Sequence, residues 1–373
     1  MPEMFLEGSV RFSLAKCLRP QNVPLCMTTP LSPVWSALFV FAVGTGGIAW
    51  ADPAAELASF SSFKEVNIEK LAGGTPLVAR GAAMSFVRGL SVESCYVVRK
   101  TLAKTAEFQL QWSPLRHPDL KVYLHTDFVG RPTLAVFQKI ASAPANSSVK
   151  AFVADTEKLS SGGSDLQLSA AEAKAIGSEG AAGPSGGAIP APVAGFWSNV
   201  LFQRAQEFLS GGLGKLPPYE TNGESVRPSD EVARLLKEAP RLRGHFSALI
   251  EGTPYGGGRG SLTPAPYWEM FDVEGVAAVN LGALYFKSSA DTWQAVDAAY
   301  YASGGYYAFL SFYQMWPVKV GGQDATLVWR GDLLSSAHLA TLHGVERMGS
   351  STAMMRETKR MIDDFLKDAA KAP

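Results

Sequence analysis

The stretch "GGYYAFLSFYQMWPVKVGGQDATLVWRGDLLSS", residues 304–336, decides the architecture. Two runs rich in aromatic and β-branched residues flank "VGGQD". The spacing predicts strands over 306–318 and 325–335 joined as a hairpin. Extended from Tyr306, the alternation places Tyr306, Phe312 and Trp316 on one face with Ala308, Leu310 and Gln314. Tyr307, Phe309, Tyr313 and Met315 fall on the other face with Ser311. Both faces are largely apolar, so both need cover. A tyrosine-rich face suits either a filled core or a cavity wall, where rings supply area and hydroxyls meet a polar ligand tip.

Outward from this hairpin, 276–287 and 293–303 read as further strands. The last segment, "SSTAMMRETKRMIDDFLKDAAK" (350–371), carries an apolar helical stripe through Met354, Met361, Ile362, Phe365 and Ala369. Nearer the N-terminus, "SVESCYVVRK" (91–100) reads as a strand and "LAKTAEFQLQW" (102–112) as a short helix. "KVYLHTDF" (121–128) alternates, with Val122, Leu124, Thr126 and Phe128 on one face and Lys121, Tyr123, His125 and Asp127 on the other. Amphipathic helices are expected at 196–209 and at 229–239, the second bounded by Pro228 and Pro240. Between the halves, residues 160–195 are built from Gly, Ala, Ser and Pro and read as a linker or long surface loop. The chain thus divides into 1–51, 52–159, 160–195 and 196–373. The fold class expected is α+β: a curved antiparallel sheet packed on a long C-terminal helix, with additional helices from a central insertion.

The first 51 residues carry a targeting pattern. Arg11, Lys16 and Arg19 precede the apolar run "VWSALFVFAV" (34–43), and Ala49-Trp50-Ala51 is an A-x-A site ahead of Asp52 and Pro53. A cleaved signal peptide is expected, with an exported protein, periplasmic or secreted, that has no transmembrane segment after cleavage. The chain has 34 basic and 34 acidic residues, so no global field gathers nucleic acid, and no nucleic-acid partner is expected. Cys17 and Cys26 lie in the leader, which leaves Cys95 alone and rules out an intramolecular disulfide in the remainder.

Chemistry-bearing residues are sparse. The five histidines and three cysteines are too few and too scattered for a structural zinc site, no H-E-x-x-H occurs, and no metal or cofactor is expected. His117, in "RHPDL", reads as part of a turn. "YGGGRG" (255–260) runs into Leu262, Thr263, Pro264 and Pro266, so no helix starts where a phosphate loop needs one. No G-x-S-x-G elbow supplies a nucleophile, and the catalytic residues of any reaction stay unknown. Two pairs stand out: His125 with Asp127, and Arg330 with Asp332, each two apart on one strand face. The second pair either faces inward and is mutually neutralised, or lies on an outer face.

The residues "GGYYAFLSFYQMWPVKV", "ATLVWRGDLLSS" and the helix at 350–371, together with the opening "ESCYVVRKTLAKTAEFQLQW" and "HPDLKVYLHTDF", make the chain similar to START-like, helix-grip domains. That resemblance is a pattern of elements covering about a third of the chain. It implies a cavity between the sheet and the C-terminal helix for a lipid-like or other hydrophobic small molecule, and no shared catalytic set. Tyr306, Phe312, Trp316 and Trp329 are the expected lining. The alternatives are a cell-envelope enzyme using His125 and Asp127 or Arg330 and Asp332, and a non-catalytic protein-interaction module.

Overall fold

The computed structural model describes residues 52–159, 164–176, 187–221, 223–257 and 260–372; the expected signal peptide lies outside them. The chain begins α1 (Pro53–Phe60), α2 (Ile68–Leu71), β1 (Leu77–Arg80), β2 (Gly89–Val98), α3 (Leu102–Gln111) and β3 (Val122–Asp127). A helical segment follows: α4 (Leu134–Gln138), α5 (Ser147–Lys158), α6 (Ala170–Ala175) and α7 (Ala191–Gly211). After the small hairpin β4 (Tyr219–Thr221) and β5 (Glu224–Val226) come α8 (Pro228–Glu238), α9 (Pro240–His245) and α10 (Ser247–Glu251). Five long strands then run in succession: β6 (Ala265–Val273), β7 (Val276–Ser288), β8 (Trp293–Ala302), β9 (Ala308–Val320) and β10 (Gln323–Ser335). Helices α11 (Ala337–Thr341) and α12 (Gly344–Lys371) close the chain.

Eight of the described strands, all but β4 and β5, form one antiparallel sheet in the order β1-β2-β10-β9-β8-β7-β6-β3. The expected hairpin is β9–β10. Gly321 and Gly322 take φ of 55° and 80°, so both central turn positions are left-handed, the geometry that matches strand twist and that glycine adopts without strain. Glu274 and Gly275 make the equivalent turn between β6 and β7. Strand β6 was hidden in the sequence because Pro264 and Pro266 give its start the look of a loop. Pro266 sits near the strand's first residue, where a missing N–H is tolerated.

Both faces of the sheet are covered. On one, α3 and α12 meet Tyr96, Tyr267, Phe309, Tyr313 and Val328 through Met354, Met361, Ile362, Phe365 and Ala369 of α12. At about 2 kcal/mol per large buried apolar side chain, the four large α12 residues contribute roughly 8 kcal/mol before ordering costs. The other face meets α1, α5, α7, α8 and α10 through residues such as Phe60, Phe152, Trp197, Phe208, Leu235 and Leu249. A C-terminal helix therefore packs on the sheet, as expected for the α+β class.

Parts of the expected linker are packed. Leu166, Leu168 and Ile189 are buried. Ser169 and Glu172 form a capping box that starts α6, and Glu172 also binds Arg204 of α7 through two hydrogen bonds of 2.7 and 2.6 Å. Helix α7 begins at Ala191, because Pro190 and Pro192 suit a helix start, so it takes in the last residues of the low-complexity stretch.

Candidate functional site

The strands bring a row of polar side chains onto the face that α3 and α12 cover. In register, Asp297 of β8 stands beside Ser311 of β9, and Ser311 beside Asp332 of β10. Ser311 Oγ donates to Asp332 Oδ1 at 2.6 Å, and Tyr267 Oη donates to Asp297 Oδ1 at 2.9 Å. At the β3 end, His125 lies between two carboxylates, with Nε2 3.0 Å from Asp127 Oδ1 and Nδ1 3.4 Å from Glu269 Oε2. Asn280 Nδ2 donates both to Glu269 Oε1, at 3.1 Å, and to Tyr306 Oη, at 2.9 Å.

Arg330 is the centre of the other end. Its guanidinium is fully buried, and Nε donates to both oxygens of Asp332, at 2.8 and 3.0 Å. Nη2 reaches Ser311 Oγ at 3.2 Å, while Nη1 meets the thioether of Met361, a weak acceptor, at 3.2 Å. The Tyr313 ring lies 5.3 Å from the guanidinium carbon. Burial works against the charged form, but the adjacent Asp332 carboxylate outweighs it and raises the pKa of the guanidinium further. Arg330 also lines a void of about 10 Å³, bounded by Tyr96, Gln109, Trp112, Met361 and Phe365. That is room for about one water molecule.

Both candidate pairs therefore exist, but they do not make one site. Five inter-strand steps separate β3 from β10, roughly 24 Å at the usual strand spacing. Nor does His125 have the state a general base needs. Burial would lower its pKa, yet the hydrogen bonds its ring nitrogens donate to Asp127 and Glu269 outweigh burial and raise it to about 9, so the ring is cationic at neutral pH. Cys95 is buried on β2, and burial pushes its thiol pKa up, away from a reactive thiolate.

The four aromatic residues expected to line a cavity are not brought together. Phe312, Trp316 and Trp329 belong to the face away from α12, and Tyr306 alone lies on the α12 side. Phe312 packs 5.1 Å from Phe246, and Trp329 lies 4.9 Å from Phe60 and 5.8 Å from Phe246. Trp316 Nε1 donates to Glu56 Oε2 of α1 at 2.8 Å, and Trp329 Nε1 to Glu93 Oε2 at 3.3 Å. The alternation failed at one place. The ladder begins at Ala308, and bends at 303–305 with Gly305 at φ 84° turn the chain before it, so Tyr306 and Tyr307 exchange the faces extrapolated for them.

Sequence reasoning singled out Arg330 but missed its neighbours. Gln109 and Trp112 come from α3 and the residue after it, and nothing in "LAKTAEFQLQW" signals that they meet β10. Phe365 and Met361 were legible as the helical stripe, and Tyr96 as a strand residue, but not as members of one site. Residues 258 and 259 of the glycine-rich loop lie outside the described residues; Tyr255 at its start is buried. No helix among the described residues is long and apolar enough to cross a membrane. Comparison with known proteins gives no matching family model, no matching curated protein and no matching solved structure.

Proposed function

We propose that the protein is an exported, START-like helix-grip protein that holds a lipid-like or other hydrophobic small molecule between the sheet and α12, with Arg330 gripping its polar end. The observation that carries this reading is the buried Arg330, whose Nη1 has a thioether as its partner and whose side chain lines a void beneath α12. A charged donor in such a place is costly unless it finds a better acceptor than sulfur. The connectivity supports the same reading. β2 precedes α3 and pairs with β10, the last strand before α12, and β3 lies at the far edge. The helix is thereby held against the seam where β2, from the start of the chain, meets the last strand, β10. Export is proposed on the leader pattern of residues 1–51.

In the closed arrangement the void takes about one water, so admitting a ligand requires α12 to move outward. Met354 and Met361 on its inner face are unbranched and repack readily around an incoming chain. Arg330 and Asp332 cancel as a pair, so a neutral acceptor such as a carbonyl or hydroxyl oxygen fits better than a carboxylate, which would add an uncompensated charge. Of the aromatic residues first expected to line the cavity, only Tyr306 remains on this side.

The test is native mass spectrometry and solvent extraction of the chain purified without detergent, alongside Met361→Trp, which fills the void. A hydrophobic mass that accompanies the wild-type chain and is lost from Met361→Trp supports the proposal. A wild-type chain that carries nothing, and that gains no thermal stability from long-chain alcohols, methyl esters or fatty acids, refutes it.

A further inference from the structure

We propose that His117, Asp119 and Asp364 form a divalent-cation site, best suited to zinc, that clasps α12 to the loop between α3 and β3. His117 stands between two short 3-10 turns, Pro114–Arg116 and Pro118–Leu120, and Asp119 is within the second. Asp364 faces them from α12. One ligand atom of each lies within 4.8 Å of the others. Tetrahedral zinc with bonds of about 2.0–2.2 Å sets its ligands roughly 3.4 Å apart, so a contraction of at most about 1.4 Å closes the set. Asp119 is exposed, so its side chain is not fixed by surrounding packing.

Two features separate this place from an ordinary acidic surface. The imidazole is oriented from behind: Nε2 is 2.8 Å from Asp368 Oδ2, which also accepts from Trp112 Nε1 at 2.9 Å. A carboxylate on one ring nitrogen fixes the tautomer and leaves the lone pair on the other, the arrangement of histidines that ligate metals. That other nitrogen, Nδ1, stands 3.8 Å from Asp364 Oδ2, too far for a hydrogen bond but close to the separation of two ligands on one ion. Asp364 is itself 8% exposed, and its partner Lys367 is on the opposite oxygen, Oδ1, at 2.9 Å. One imidazole with two carboxylates suits zinc better than magnesium or calcium, which prefer all-oxygen sets.

The sparse histidines and cysteines had pointed away from metal binding. The set appears only because a turn and a helix distant in sequence fold together. A bound ion would join the C-terminal half of α12 to the loop that also carries Trp112, at the rim of the void beside Arg330, and would resist outward movement of the helix. This inference stands whether or not the hydrophobic-ligand reading holds.

The experiment is calorimetric titration of the chelator-stripped full chain with zinc chloride, with Asp119→Asn and His117→Gln in parallel, and hydrogen exchange of residues 356–371. The expected result is about one equivalent bound, weakened roughly 10-fold or more by Asp119→Asn and roughly 100-fold by His117→Gln, with slower exchange in α12 when zinc is present. Asp119 is exposed, so its variant tests the site even if His117→Gln, which also loses the Asp368 contact, fails to fold. Absence of binding below millimolar zinc overturns the proposal, as does unchanged affinity in Asp119→Asn, which would place the ion elsewhere.

Discussion

Asp332→Asn removes the charge that neutralises Arg330. Asp332 offers Nε both oxygens, at 2.8 and 3.0 Å, and accepts the Ser311 hydroxyl at 2.6 Å, with each side chain of the pair only 1% exposed. The adjoining void holds about one water, too little to replace the lost carboxylate, so breaking the pair costs about 3–5 kcal/mol. Arg330→Met strands the carboxylate instead and costs a similar amount. The double variant Arg330→Met/Asp332→Leu buries no charge and leaves only Ser311 without its acceptor, a loss of about 1–2 kcal/mol that apolar packing offsets in part. The double variant is therefore more stable than either single one. Urea unfolding followed by far-UV circular dichroism measures this; with a slope of about 3 kcal/mol/M, a 4 kcal/mol loss lowers the midpoint by roughly 1.3 M. Single variants within about 1 kcal/mol of wild type, or a double variant whose loss equals the two single losses together, would refute the reasoning. Either outcome means that water or another group already compensates the pair.

His125 makes stability depend on pH. Its folded pKa of about 9 lies above the unfolded value of about 6.5, so its contribution is complete below pH 6.5 and is lost as pH rises through 9. The loss is on the order of 3 kcal/mol, read as a falling urea midpoint between pH 6.5 and 9.5. Asp127→Asn should flatten that fall, and parallel profiles for the two proteins would count against the carboxylate cause. Phe312→Ala, in the layer away from α12, should cost about 3–5 kcal/mol yet leave any co-purifying ligand in place. A stable Phe312→Ala protein that loses its ligand would restore the original lining.

Much of the fold was legible. Alternation located β7, β8, β9 and β10 to within a few residues, and the paired glycines set the β9–β10 turn because few other residues accept two successive left-handed positions. The helical stripe from Met354 to Ala369 announced α12. Strand β6 was not legible, since its prolines mimic a loop, and α5 was not, since its burial depends on Trp197 of α7, whose indole N–H donates to Thr156 of α5 from far along the chain. The site was half legible. Arg330 and Asp332 stood out as charges in an apolar strand, and pairing was one of two readings left open.

By itself, then, the amino-acid sequence determined the period of each element, the turn glycines and the apolar stripe of the last helix, because these depend on neighbours within a few residues. Which face of the sheet each aromatic ring joins was decided by the tertiary structure. Bends ahead of Ala308 shift the phase by one residue, and a period of two turns that shift into an exchange of faces. Register across β8, β9 and β10 likewise placed Asp297, Ser311 and Asp332 side by side, and the return of α12 over β2 set Met361 against Arg330 and Asp364 against His117. These are contacts between segments far apart in the chain. They arise only when burying both apolar faces of one sheet forces those segments together.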